Sequence, residues 1–260
     1  MTVPAIRPAR AEDAAPLRAL VARAWEEYPG LVFRLEDAPE LAEPAAYYAA
    51  ESGGLWVAEE AGCVVGSVAA LPQAPAIWEI AKMYVTPAWR GGGLAARLLA
   101  TGEAYARGQG AQRLVLWSDT RFAPAHRFYE KHHYVRRAPL RALGDSCHSL
   151  EFPFLRPLAG ETVWELDTPA AASAARRLVG LRVAAGEDRA AAGSEVAAGV
   201  RAVATGRGRM FGLWVDGILA AGALFAADAH EAVWRAAGAP LLATRLEAAR
   251  EGAIALPAAG

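Results

Sequence analysis

The sequence predicts a mixed α/β protein: a central twisted sheet flanked by helices, followed by a smaller α/β unit built along similar lines. Three observations lead there. Short apolar runs of period two alternate with stretches whose apolar residues recur every three or four positions. Three consecutive glycines, Gly91, Gly92 and Gly93, join one such strand pattern to one such helix pattern. From about Leu158 the chain then repeats, in worn form, the order of its own first half.

Taken in order, residues 3–7 form a first strand, and Asp13 caps a helix in which Leu17, Leu20, Val21 and Ala24 line one face. That helix runs out in WEEYPGLVFRLEDAPE, an irregular stretch where Glu26, Glu27, Glu36 and Asp37 stand among Tyr28 and Phe33. Residues 41–52 form a second helix, and LWVAEE and CVVGSVAAL are two strands around an Ala-Gly turn. A proline-containing connection leads into EIAKMYV, which Pro87 ends. Simple alternation puts Glu79, Ala81, Met83 and Val85 on one face of that strand, with Ile80, Lys82 and Tyr84 on the other. Leu94, Ala95, Leu98 and Leu99 mark the helix after the glycines, and RLVLWS is the strand beyond it. Pro124 opens a short helix, and residues 134–137 and 149–155 supply closing strands.

At 260 residues the chain has room for two small domains, expected at residues 1–157 and 158–260. A hydrophobic share of 54% against 21% charged marks a globular chain, and a net charge of −1 gives nucleic acid no electrostatic footing. Two cysteines, Cys63 and Cys147, suit reduced thiols and a cytoplasmic setting. MTVPAIRPARAED lacks an apolar signal core, and no uncharged apolar run is long enough to span a membrane, so neither secretion nor a membrane partner is expected. His126, His132, His133, His148 and His230 show no zinc-site spacing with cysteine or carboxylate, so no metal is expected.

Glycines at a helix N-terminus leave backbone N–H groups uncovered at the positive end of the helix dipole, which suits an anion. Arg90, just before them, adds a fork of donors matched to phosphate oxygens. The same glycines could instead serve only to permit positive φ in a tight turn. No Lys-Ser or Lys-Thr follows, which removes the P-loop NTPases. Gly91, Gly93 and Ala96 do spell GxGxxA, with Asp119 ending the next strand, as in a nucleotide-dependent reductase. That fingerprint wants its first glycine directly after the strand, however, and TPAWR intervenes after Val85.

The segment resembles the coenzyme A signature of the GNAT N-acetyltransferase superfamily, [QR]-x-x-G-x-[GA], read as Arg90-Gly91-Gly92-Gly93-Leu94-Ala95 and preceded by that family's V-x-P as Val85-Thr86-Pro87. IRPARAED resembles the family's opening strand and helix. A second signature, A-x-x-[FL]-Y-E-[KR]-x-G-[FY], is matched by Ala125, Phe128, Tyr129, Glu130, Lys131, His133 and Tyr134. The element order over residues 3–157, βααβββαβαββ, is also that family's. Two departures stand out. His133 replaces the glycine that usually supplies a left-handed residue, at about 1 kcal/mol. Phe122 stands where many members carry an asparagine that contacts the pantetheine arm.

The resemblance implies a GNAT fold and direct transfer of acetyl from acetyl-CoA to a primary amine on a small molecule or peptide. It assigns the cofactor to Met83, Tyr84, Val85, Arg90, Gly91, Gly92, Gly93, Leu94 and Ala95, and leaves a homodimer open. Glu79, on the predicted face of Met83, would accept the amine proton directly or through water, unless it is an edge carboxylate in solvent. Tyr129 would protonate the departing sulfur, unless it is a core aromatic. The irregular stretch covers the acceptor site in the family, so Glu26, Glu27, Tyr28 and Phe33 are the acceptor candidates, carboxylates beside aromatics being suited to a cation. Arg136, Arg137 and Arg141 form a small basic cluster near the closing strands, which reads as solvated surface unless it approaches a phosphate of the cofactor. A rival of another class is an acyl-CoA-binding sensor without turnover.

In the second half TVWEL is strand-like, Asp167 or Thr168 caps a helix at Pro169, and Ala174, Leu178, Leu181 and Val183 suggest its buried face. Leu213-Trp214-Val215 before DG and ILAAGALF mirrors Leu55-Trp56-Val57 before AG and CVVGSVAAL. Trp234-Arg235-Ala236-Ala237-Gly238, with LLAT soon after, echoes Trp89 to Gly93 and its own LLAT. The interval from Trp214 to Trp234 is too short for a full counterpart of the Glu79 strand, and the chain ends soon after a helix carrying Leu246. This unit therefore reads as a degenerate, truncated GNAT-like domain, and with Ala236, Ala237 and Pro240 at its turn it should hold no cofactor.

Overall fold

The structure, a computed structural model, describes residues 3–226 and 231–235. Ala236, Ala237, Gly238, Pro240 and the helix expected around Leu246 lie outside the described residues. The chain separates into two compact units, residues 1–122 with 141–151, and residues 123–140 with 152–260.

In the first unit, strands β1 (Ala5–Pro8), β2 (Gly54–Glu60), β3 (Cys63–Ala74) and β4 (Ile77–Val85) pair antiparallel in that order. Strand β5 (Arg113–Asp119) joins β4 in parallel, as its helical crossover requires. Helices α1 (Ala14–Glu26) and α2 (Pro44–Ala50) supply one face, where Leu17 and Tyr48 meet Leu55, Val57 and Ala69. Helix α3 (Leu94–Gly108) covers the other face. Gly102 lets it come close, since a Cβ there would sit 3.1 Å from Val68 and 3.2 Å from Ile80. Asp13 does not cap α1 with its side chain as expected. Its carboxylate turns back to accept from the Arg10 N–H at 2.7 Å and to pair with Arg7, whose guanidinium holds it below the usual carboxylate range.

Simple alternation along β4 fails at one place. Lys82 and Met83 together stand opposite the single residue Val68, a β-bulge, and Lys82 takes φ 49°. The Ser67 hydroxyl donates to the Lys82 carbonyl at 2.7 Å and pins it. The extra residue moves Lys82 and Tyr84 onto the face of Glu79 and Ala81, beneath α1 and α2. Accordingly Ala81 packs with Leu17 and Tyr48, and Tyr84 with Val21 and Leu41. Val85 faces α3 near Leu98, and Met83 goes with it, so Glu79 and Met83 do not share a face as expected.

The first unit also holds a short strand, β7 (Arg141–Ala142), paired with the opening residues of β8 (Leu150–Pro157). The second unit begins with α4 (Ala123–Lys131) and β6 (Val135–Arg136), the latter paired with Phe154 and Leu155 of β8. It continues with β9 (Glu161–Leu166), α5 (Thr168–Ala184), α6 (Arg189–Ala204), β10 (Gly208–Val215), β11 (Ile218–Ala226) and β12 (Glu231–Arg235). These strands form an antiparallel sheet in the order β12-β11-β10-β9. Asp167 caps α5 by accepting from the Ala170 N–H at 2.9 Å, and Asp188 caps α6, a helix the apolar pattern did not reveal. A strand does follow β11, five residues long against nine for β4.

The elements α4 and β6 are fastened within this second unit. Val135 lies in one apolar cluster with Leu166, Ala174 and Leu178. The Ser173 hydroxyl donates to Glu130 and accepts from the Arg136 N–H, Arg137 donates to the Glu165 carbonyl at 2.7 Å, and Trp214 Nε1 donates to the His133 carbonyl at 3.0 Å. The two LWV runs are not in equivalent registers. Val215 runs straight into the turn at Asp216–Gly217, whereas Val57 lies further back from Ala61–Gly62.

Candidate active site

The β4–β5 ladder runs through Ile77, Trp78 and Glu79 opposite Arg113, Leu114 and Val115. Both strands continue past that point, β4 to Val85 and β5 to Asp119, without further pairs in the ladder. The sheet is thus forked just beyond Glu79. On the β5 side of the fork the bulged backbone of β4 is available to a ligand that can lie along it.

At the far end of β4, a 3-10 turn (Pro87–Trp89) leads to the glycines. Gly91 and Gly93 have φ 77° and 84°, which accounts for glycine at both. Among the described residues, the N–H groups of residues 91–96 have no backbone acceptor and no side chain caps α3. A Cβ at Gly91 or Gly93 would meet nothing within 4 Å, and at Gly92 only the Trp89 carbonyl at 4.0 Å. This is an open cradle of donors at a helix dipole's positive end, and it fits a pyrophosphate. Arg90 is tied to the cradle by its Nε–H, which donates to the Val85 carbonyl at 3.0 Å, while its terminal nitrogens grip Glu27 at 2.6 Å each. Arg90 and Glu27, expected on the cofactor and the acceptor respectively, are therefore partners of each other.

Glu79 projects from the mouth of the fork beneath α1 and α2. Among the described residues its carboxylate has no hydrogen-bond partner. Burial pushes it above the usual carboxylate range, against the opposing pull of Arg141 and Lys82. Tyr48, 2% exposed, lies near it: burial first, then the charges of Glu40 and Glu79, push the phenol's ionisation up. The Lys82 ammonium pairs with Glu40. Burial alone would lower it, and Tyr84, Glu40 and Glu79 together more than offset that. The Tyr84 hydroxyl accepts from Trp25 Nε1 at 3.0 Å. The arrangement can hold an ammonium, and it has a carboxyl tuned upward to take its proton.

The remaining candidates fall as follows. Glu26 is exposed at the end of α1. Tyr28 stacks on Phe122 with centroids 4.6 Å apart, and Phe33 packs against Trp25 in the cluster under α1. Tyr129 lies in the second unit, 6% exposed, among Phe128, Tyr134 and Phe154. His133 adopts φ 69°, as its place in the signature predicts; burial, then Arg177 and Arg156, push it down to about 4. Asp119 is gripped by Arg121 through its backbone N–H, Nε and Nη2, so it is poorly placed for a ribose hydroxyl. Among the described residues no cluster of His, Cys, Asp and Glu could hold a metal ion, and no helix is long and apolar enough to cross a membrane. Arg141, read as solvated surface, instead stacks on Trp117 beside Glu151. Tyr48, Glu40, Lys82, Glu151 and Trp117 escaped the sequence reading, since each looks like an ordinary residue of its element.

Residues 17–134 match the acetyltransferase (GNAT) family model. Among solved structures, the chain is similar to an acetyltransferase of the GNAT family from Staphylococcus aureus Mu50, at 16% identity over 59% of this chain and 98% of that one, with a TM-score of 0.53. It is similar to an acetyltransferase from Streptococcus agalactiae 2603 at 20% identity, 61% and 100% coverage and a TM-score of 0.54. An N-acetyltransferase from Staphylococcus aureus Mu50 gives 19% identity, 60% and 99% coverage and a TM-score of 0.51. No curated protein matches the sequence.

Proposed function

We propose, starting from a chain that has the GNAT-superfamily acetyltransferase fold, that it moves the acetyl group of acetyl-CoA directly to a primary amine. The observation that carries this reading is the forked sheet with Glu79 at its mouth and the open donor cradle at its other end. Residues 91–96 would hold the pyrophosphate, with Arg90 at its flank, and the backbone of Met83 and Val85 would run along the pantetheine arm. Acetyl-CoA supplies an activated acyl group there. Glu79 takes a proton from the acceptor ammonium and leaves a neutral nucleophile; a backbone N–H of the bulged strand offers a donor to the carbonyl oxygen. The family signature gives Tyr129 the task of protonating the departing sulfur. An amine panel scored by free-thiol release tests the reading. Acetyl-CoA-dependent release with at least one amine is expected, and a tight acetyl-CoA complex with no release from any amine would favour a sensor.

In the same reading, residues 1–157 are the working domain and residues 158–260 a degenerate, truncated second copy. The order β9-α5-α6-β10-β11-β12 parallels β1-α1-α2-β2-β3-β4 in its antiparallel ladders. The turns Ala61–Gly62 and Asp216–Gly217 likewise both use two positive φ angles. These parallels support the reading, and a single cofactor per chain follows from it.

A further inference from the structure

Strand β5 pairs Val115 with Glu79, so both side chains stand on one face, and Trp117, two residues on, stands on that face about 7 Å further along the strand. The Arg141 guanidinium lies over the Trp117 ring at 4.0 Å. Its Nε–H donates to Glu151 at 2.7 Å, which fixes the plane, and among the described residues neither terminal nitrogen has a hydrogen-bond partner. The side chain is 41% exposed, so a ligand can reach that open edge. A guanidinium stacked, oriented and left with one donor edge vacant is built for a planar anion. Lys82, a second cation on this face, is already taken by Glu40.

We propose that the acceptor is a carboxylated amine, a free amino acid or a compound with amine and carboxylate similarly close, whose carboxylate docks on the open edge of Arg141 while its ammonium is held at Glu79. This rests on Glu79 being the proton acceptor. It disfavours a polyamine, whose second ammonium would meet Arg141, and a long peptide N-terminus, whose first carbonyl is an uncharged amide. Glu27, the carboxylate that would have drawn a polycation, is engaged by Arg90.

The test measures thiol release with free amino acids, their amides and their decarboxylated amines, on the wild type and on Arg141→Gln and Arg141→Lys, with circular dichroism to confirm folding. The free acids should exceed their amides at least tenfold in kcat/KM. Arg141→Gln should erase most of that preference through KM, and Arg141→Lys should restore part of it. Because Arg141 also lowers the Glu79 carboxyl, both substitutions should move the acidic limb of the rate profile: Gln upward for every acceptor, Lys less. Equal use of acids and amides, or equal losses for both in Arg141→Gln, would overturn the proposal while leaving acetyl transfer intact. No release from any amine would instead remove the acetyl transfer on which the proposal rests. Calorimetry of the amino acids against the CoA-loaded protein then decides the docking site by itself: binding lost in Arg141→Gln sustains it, and no binding ends it.

Discussion

Glu79 is half-buried, its carboxyl is raised and, among the described residues, it has no hydrogen-bond partner, which gives it a stability signature as well as a kinetic one. A carboxyl whose folded pKa lies above its unfolded value contributes stability that is full below the unfolded pKa and is lost as pH rises through the folded one. Glu79→Gln cannot ionise, so its melting temperature should gain on the wild type between pH 4 and pH 8, while its turnover falls by about 100-fold or more. Melting curves that stay parallel across that range would show that Glu79 is not held in a desolvated place. Arg90 and Glu27 give a second expectation. If Arg90 flanks the pyrophosphate, Glu27→Gln removes a competitor worth about 1 kcal/mol at most, and acetyl-CoA should bind up to about fivefold more tightly at low salt. Weaker binding would mean that Glu27 instead orients Arg90. At this scale the sequence showed the residue types but not their pairings. Glu27 is 63 positions from Arg90, and only the folded chain brings them together.

At the scale of elements, alternation and glycine punctuation located the strands and helices around the fork, because each is a local property of the chain. What escaped was the bulge at Lys82. It depends on Ser67 and Val68 of the neighbouring strand, and no local pattern marks it. Its consequence is functional, since it changes which side chains share a face with Glu79. Helix α6 escaped for a different reason: its alanine-rich run carries little apolar period, and only the Asp188 cap announces it. The contact of α3 with the sheet yields the prediction at this level. Gly102→Leu must displace Val68 and Ile80, which overpacking places at about 1–3 kcal/mol. Denaturant midpoints should fall accordingly, and an unchanged midpoint would mean that α3 is not seated so closely.

For the molecule as a whole, the apparent restart of the sequence puts a boundary near residue 157. The packing of α4 and β6 with β9, β10 and α5 is a long-range property that such a restart cannot reveal. A fragment ending at residue 157 would leave Val135, 1% exposed in the intact chain, without the residues of its apolar cluster that lie beyond Leu155. It should therefore be poorly soluble or melt well below the intact protein, and a fragment as stable as the full chain would contradict this packing. In the proposed function the glycine turn of the first unit is the cofactor cradle, used once per chain. Gly92 is the cleanest position for a test, because, unlike Gly91 and Gly93, it does not require positive φ, and a side chain there enters open space. The most direct measurement is a calorimetric titration of acetyl-CoA into the wild type and Gly92→Val. One molecule should bind per wild-type chain and none to a folded Gly92→Val. Two molecules per chain, or undiminished binding by the variant, would contradict that reading.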